Sequence, residues 1–407
     1  MADKNKTETD TKITLPQGYQ VFTYAAGIKY EGRKDLGVLI SARPASYAGV
    51  FTTNRVQAAP VKLCRERLGF PIRALVVNTG SANACTGEEG EQAARRVAEI
   101  AEAEFALPRK SALSLSTGVI GTPLPLEKFE PALRAIASAA GAGNVNTPED
   151  FARAIMTTDT VPKMAERNLG IANDKEIRIC GFAKGAGMIS PQMATMLAFI
   201  ITDLDIRAKD LQCALLAGLG GSFNAITVDG DMSTNDSVIL LANGASETRL
   251  CCREDTLAFR EALAEVMQSL ALQVVRDGEG ATKLVTIEVT GARNTRDAEL
   301  AARAIANSLL VKTAFFGNDP NWGRIIDVAG YSGARLCEEK MELFYLDRII
   351  YAQGRPLAFD REDMIRKLAQ TREITIRLDL GVGRAKRTLY TTDLSYEYVK
   401  INAEYTS

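Results

Sequence analysis

The chain has 407 residues, with 49 Lys plus Arg against 50 Asp plus Glu, and no histidine. The even charge balance excludes a basic nucleic-acid or anionic-membrane binder and favours small-molecule partners. Without histidine, every Ser-His-Asp, Cys-His and HExxH device is excluded. A base working near neutral pH must then be a tuned carboxylate, lysine or thiolate, or an α-amine, which titrates at about 7.7–8.0.

The length suggests two or three lobes, and 46% hydrophobic residues supply ample core. No apolar run approaches the roughly 20 residues of a membrane span. Residues 1–12, MADKNKTETDTK, are polar and predict a short disordered tail rather than a signal peptide, hence a cytoplasmic protein. Seven cysteines, odd in number and without a CxxC pair, read as reduced thiols. No metal or organic cofactor is indicated.

Between Val21 and Asn54, strand-like pieces such as Gly37–Ile40 alternate with Gly and Pro turns. A strand at Ala74–Val77 then runs into the small polar loop Asn78–Cys85, which suits either backbone donors for a site or an ordinary capped turn. Glu91–Phe105 is an amphipathic helix. In Leu113–Gly121 an apolar run is broken by Ser116-Thr117-Gly118. Taken alone, that break reads as turn geometry first and an oxyanion hole second.

A second helix spans Leu126–Ala140. A third, Pro148–Met156, starts with Thr147 as cap and Pro148 at its first position. It leads into Thr157-Thr158-Asp159-Thr160, a polar cluster that serves a ligand or a solvated turn equally well. A strand, Glu176–Phe182, delivers the chain to FAKGAGMISPQMATMLAFIITD, residues 182–203. There Lys184-Gly185-Ala186-Gly187 and Pro191 allow a sharp bend just before a buried strand-type run beginning at Thr195. The place suits presentation of one hydroxyl to its own upstream carbonyl. A Thr freed as a new N-terminus would carry its own base.

Residues 207–217 read as a helix, and Gly218–Ser222 resembles a nucleotide loop only superficially, since it follows a helix and lacks GK[ST]. Thr227–Asp236 is a dense polar loop whose DGD fails calcium spacing. A long helix, about Asp255–Val275, ends at a loop holding Glu279 between two glycines, followed by the strand Leu284–Val289. Glu279 suits a pocket carboxylate or a solvated turn. A helix at about Asp297–Lys312 precedes the loop with the only tryptophan, Trp322. Ile374–Leu378, Arg387–Thr391 and Tyr396–Ile401 alternate as strands of an antiparallel sheet. Strands interleave with helices throughout, so the fold class is α/β, or α+β in layers, with sheets sandwiched by helices.

Nine blocks, in order, resemble one family. They are SARPASYAGVFTTN (41–54), NTGSANACTG (78–87), STGVIG (116–121), TTDTVPK (157–163), KGAGMISPQMATML (184–197), TVDGDMSTND (227–236), VRDGEGATK (275–283), GNDPNWGR (317–324) and INAEYTS (401–407). The family is the ornithine acetyltransferases, also called bifunctional arginine-biosynthesis glutamate N-acetyltransferases. The resemblance covers essentially the whole chain after the first dozen residues. It implies a self-processing fold of the N-terminal-nucleophile type, shared with aminopeptidases.

By the same resemblance the Ala194–Thr195 bond is cut autocatalytically, dividing the chain into a tail (1–12), an α chain (13–194) and a β chain (195–407). Thr195 is the implied nucleophile, and Thr117 with Gly118 the implied oxyanion hole. Thr158, Lys184, Thr195, Glu279, Asn402 and Ser407 are the implied substrate ligands; where the family often ends in Thr, this chain has Ser407 and keeps a hydroxyl. The implied reaction moves acetyl from N2-acetyl-L-ornithine to L-glutamate, with acetyl-CoA as an alternative donor, in a heterotetramer of two α and two β chains. A self-processed aminopeptidase or amidase, passing its acyl group to water, is the rival reading, and a non-catalytic protein that never cuts itself is a third.

Overall fold

The computed structural model describes residues 13–29, 31–171, 175–190 and 196–404. The predicted tail and the positions Ala194, Thr195 and Ser407 lie outside the described residues. β1 (Tyr19–Tyr24) pairs antiparallel with β2 (Leu36–Phe51). Where the sequence suggested short pieces, β2 is one 16-residue strand. Pro44 has no N–H to give a ladder, and it sits in the register shift between Ile40 and Ala45. There β2 changes partners: its first half pairs with β3 (Ile72–Ser81) and its second with β8 (Ser237–Ala242).

Between these strands come α1 (Ala59–Glu66), α2 (Gly87–Glu104), β4 (Ala112–Val119), α3 (Leu126–Gly141) and α4 (Pro148–Ala154). The predicted Thr147 cap is present, as a full capping box with Asp150. β5 (Lys163–Ile171), β6 (Lys175–Lys184), β7 (Leu197–Thr202) and α5 (Ala208–Leu219) precede β8, and α6 (Arg253–Arg276) follows it. The sheet runs β4-β3-β2-β8-β7-β6-β5, with β1 beside β2.

Alternation along the strands sets the layers. Leu75 and Val77 of β3 share one core with Phe182 of β6, Phe199 of β7 and Ile239 of β8. Ala74 and Val76 face the opposite way, onto Val97 of α2 and Leu133 of α3. Ala198 and Ile200 of β7 pack onto α5 and α6 through Leu215, Leu263 and Leu270. The bend in β2 thus closes the sheet over itself, giving helix, sheet, sheet and helix in four layers. The mixed α/β class with sheets flanked by helices is what the interleaved pattern predicted.

The rest of the chain builds a second sheet. β9 (Leu284–Ala292), α7 (Thr295–Asn307), α8 (Leu309–Phe316) and α9 (Trp322–Tyr331) come first. β10 (Glu342–Tyr345), β11 (Arg348–Ala352), β12 (Arg355–Pro356), α10 (Arg361–Gln370), β13 (Glu373–Asp379), β14 (Ala385–Thr392) and α11 (Tyr396–Glu404) complete it. Its order is β12-β11-β10-β13-β9-β14. Three expectations need correcting here. The single helix at 297–312 is two, because the Ser308 hydroxyl accepts from Val311 N–H and starts α8 as its cap. The sheet is mixed, since β13 runs parallel to β9. Residues 396–401 are helical: the Ser395 hydroxyl accepts from Tyr398 N–H, a cap that outweighs the strand-like alternation of Tyr, Val and Ile.

Lys312 is buried between α8 and β14, donating to Thr392 O at 2.6 Å and meeting the hydroxyls of Thr391 and Thr392 at 3.2 and 2.9 Å. Burial pushes its ammonium down to about 7, against the pull of Asp393 and Asp229. A free lysine titrates near 10.4, so between these values the unfolded chain holds a proton that the folded one lacks, and stability rises with pH. Chemical denaturation should show wild type gaining about 1.5 kcal/mol on Lys312→Met between pH 7 and pH 8.5.

Candidate active site

The site is assembled from loop ends that the two sheets bring together. β3 and β4 run parallel and leave the sheet side by side, with Thr79 opposite Thr117 and Gly80 opposite Gly118. Gly118 has φ +135°, and a Cβ there would collide with the Gly80 backbone, so only glycine serves. Gly118 is therefore the special end of a strand, where the sequence alone pointed first to a turn. The Ser116 hydroxyl donates to Asn78 Oδ1 at 2.7 Å, and Asn235 Nδ2 donates to Ser116 O at 2.9 Å and Ala82 O at 2.6 Å. The Ser-Thr-Gly backbone is thus held from both sides.

Lys184 closes β6. Its ammonium is buried and donates to Thr117 Oγ1 at 3.1 Å and Thr157 Oγ1 at 2.5 Å. Behind it lies Asp159, 3.9 Å from Nζ. Asp159 also accepts from Lys163 Nζ at 2.6 Å, Gly185 N–H at 2.6 Å and Thr157 N–H at 3.0 Å. Lys163 reaches on to Asp277 at 2.5 Å, so charges alternate along a buried row: Lys184, Asp159, Lys163, Asp277. Burial alone would raise the Asp159 carboxyl, but the Lys184 and Lys163 ammoniums and the Gly185 N–H hold it at about 2. Burial lowers the Lys184 pKa, with Asp159 pulling the other way.

Two residues beyond Asp277, Glu279 enters the same space. Its N–H donates to Ala186 O at 2.8 Å, docking the DGEG loop on the KGAG loop. Gly280, at φ +67°, lets α11 approach so closely that a Cβ would strike the Tyr398 backbone. That approach brings Asn402 Nδ2 to 2.8 Å from Glu279 Oε2. Read as a strand, 396–401 gave no reason for the approach; as a helix it puts Tyr398 and Asn402 on one face.

Thr117, Gly118, Thr158, Lys184, Glu279 and Asn402 line one open cleft with about 700 Å³ of empty space. Ser233, Thr234 and Asn235 line it as well, although in sequence they read only as part of a polar loop. Ala194, Thr195 and Ser407 lie outside the described residues. Their described neighbours Ser190 and Met196 are both buried. Asp159 was signalled by the hydroxyl-rich cluster around it, but its partner Lys163, in the unpredicted strand β5, was not. All seven cysteines are free. Among the described residues, no group of His, Cys, Asp and Glu is placed to hold a metal, and no helix is long and apolar enough to cross a membrane.

Comparison with known proteins covers nearly the whole chain. The ArgJ family model matches residues 20–407. The arginine biosynthesis bifunctional protein ArgJ of Geobacter sulfurreducens is 46% identical over 392 residues, covering 96% of this chain and 99% of the relative. That of Nitratidesulfovibrio vulgaris is 44% identical over 394 residues, covering 96% and 99%. A crystal structure of the arginine biosynthesis bifunctional protein from Bacillus halodurans is 42% identical, covers 51% of this chain and 98% of that chain, and gives a TM-score of 0.49. With a family model matched over nearly all of its length, the chain belongs to the ArgJ family.

Proposed function

We propose that this chain transfers the acetyl group of N2-acetyl-L-ornithine to L-glutamate through an acetyl ester on Thr195, after cutting its own Ala194–Thr195 bond. It is an acetyltransferase of arginine biosynthesis. Its relatives are bifunctional by name, and the second activity we infer is acetylation of glutamate from acetyl-CoA. Thr117 and Gly118 form the oxyanion hole, and Thr158, Lys184, Glu279, Asn402 and Ser407 bind substrate. The enzyme works in the cytoplasm as two α and two β chains, and needs no cofactor.

One observation carries this reading: a buried ammonium, Lys184, and a carboxylate, Glu279, line the same cleft as the Thr117-Gly118 strand end. Acetylornithine carries an α-carboxylate and a side-chain ammonium, which such a pair complements through charge-assisted bonds. The α-amine freed at Thr195 takes the hydroxyl proton as Oγ attacks the acetyl carbonyl, and the proton leaves on the ornithine nitrogen. The glutamate amine then attacks the ester and Thr195 recovers its hydroxyl. The tetrahedral oxyanion of each step is met by preorganised donors.

Exchange through one covalent intermediate is ping-pong, so double-reciprocal plots against acetylornithine and glutamate should give parallel lines. Converging lines would point to a ternary complex, and release of free acetate without glutamate would favour a hydrolase.

A further inference from the structure

Thr227–Asp236 holds the chain on both sides of the proposed cleavage point. Upstream, Asp229 Oδ2 accepts from Met188 N–H at 2.6 Å and Oδ1 from Ile189 N–H at 2.8 Å. The Ile189 carbonyl in turn accepts from Val228 N–H at 2.8 Å and from the Thr227 hydroxyl at 3.0 Å. Met188, with φ +56°, is bent into this grip. Downstream, Asp236 Oδ1 accepts from Met196 N–H at 3.0 Å, and Ser237 N–H donates to Met196 O at 3.1 Å.

The loop itself is fixed. Thr52 N–H donates to Asp236 O at 3.0 Å, its hydroxyl donates to Ser233 O at 2.8 Å, and Tyr398 Oη of α11 meets Asp229 at 3.3 Å. Asp236 is fully buried, and its Oδ2 has no hydrogen-bond partner among the described residues. Burial puts its carboxyl well above the usual carboxylate range, against the Met196 N–H, Lys184 and Ser233. A fold retains such a group only where it does something that packing alone would not.

We infer that Asp229 and Asp236 are the positioning residues of self-cleavage, anchoring Met188-Ile189 upstream and Met196 downstream of the bond that is cut. This rests on the self-cleavage reading above. In that step the Thr195 Oγ–C bond forms, the Ala194 C–N bond breaks, and the hydroxyl proton ends on the Thr195 nitrogen; water then opens the ester. An intramolecular attack of this kind needs its atoms within about 3–3.5 Å and aligned, and a slip of about 1 Å costs on the order of 10²-fold. Two carboxylates on one rigid loop supply that constraint from both sides.

The test follows cleavage over time by intact mass in full-length chains made by cell-free translation, with limited proteolysis reporting the folded fraction. Asp229→Ala and Asp236→Ala should fold and cut on the order of 10²-fold more slowly than wild type. Asp236→Asn keeps a carbonyl for the Met196 N–H and should cut within about threefold of wild type. Asp229→Asn keeps one acceptor for two N–H groups and should fall between wild type and Asp229→Ala. Alanine variants that fold and cut at the wild-type rate would overturn the inference. So would Asp236→Asn as slow as Asp236→Ala, because the acid rather than the position would then matter. If the alanine variants fail to fold, the two asparagine variants decide, and equal rates for them sink the idea. A wild-type chain that stays whole would remove the self-cleavage reading, and this inference with it.

Discussion

Thr195→Ala should remain a single uncut chain and lose acetyl transfer by at least about 10⁴-fold, the scale on which enzymes lose activity when their nucleophile is deleted. The loss is compounded here. Without histidine, the base we propose is the α-amine of Thr195, and that amine exists only after the bond to Ala194 is broken. In the uncut variant the same nitrogen is an amide and holds no basic lone pair. One substitution therefore removes nucleophile, base and maturation together. Intact mass reads the first consequence and an ornithine-release assay the second. A variant that is whole yet still transfers acetyl would place the nucleophile elsewhere.

The second large effect concerns stability. Asp159→Ala should destabilise the protein by about 3–5 kcal/mol, because it breaks a buried ion pair and leaves one charge without its partner. Lys163 keeps Asp277, but Lys184 keeps only hydroxyls as hydrogen-bond partners, so its ammonium loses its principal stabilising charge. The same carboxylate fixes an acid limb. Its folded value of about 2 lies below the about 3.9 of a free aspartate, so its contribution is complete above pH 4 and is lost as pH falls towards 2. Urea midpoints at pH 7 measure the first effect. A titration from pH 5 to pH 2, in which Asp159→Ala lacks a step of about 2 kcal/mol, measures the second.

Much of this was legible in the residues. α2, with its apolar stripe, and α4, with its Thr147 cap, were found to within a few positions, because periodicity and caps are local. The polar clusters at Thr157–Thr160 and Thr227–Asp236 were visible as clusters. Their roles were not, since Lys163 meets Asp277 across 114 positions and Asn235 meets Ser116 across 119. No local pattern carries such a pairing. The misread helix at 396–404 shows the reverse: a real strand-like alternation was overruled by one serine hydroxyl and by the need to reach Glu279.

The position of β7 has one more consequence. β6 and β7 are hydrogen-bonded neighbours from Ile179↔Thr202 to Lys184↔Leu197, and β8 lies between β7 and β2. A cut after residue 194 therefore divides the polypeptide inside a sheet rather than between two lobes. Neither product could complete that sheet alone, and pulling them apart would expose two ladders of unpaired backbone at once. The pieces would age as one molecule, in fixed one-to-one proportion, with no exchange of a worn half for a new one. Maturation would change the chain's connectivity and leave its architecture untouched.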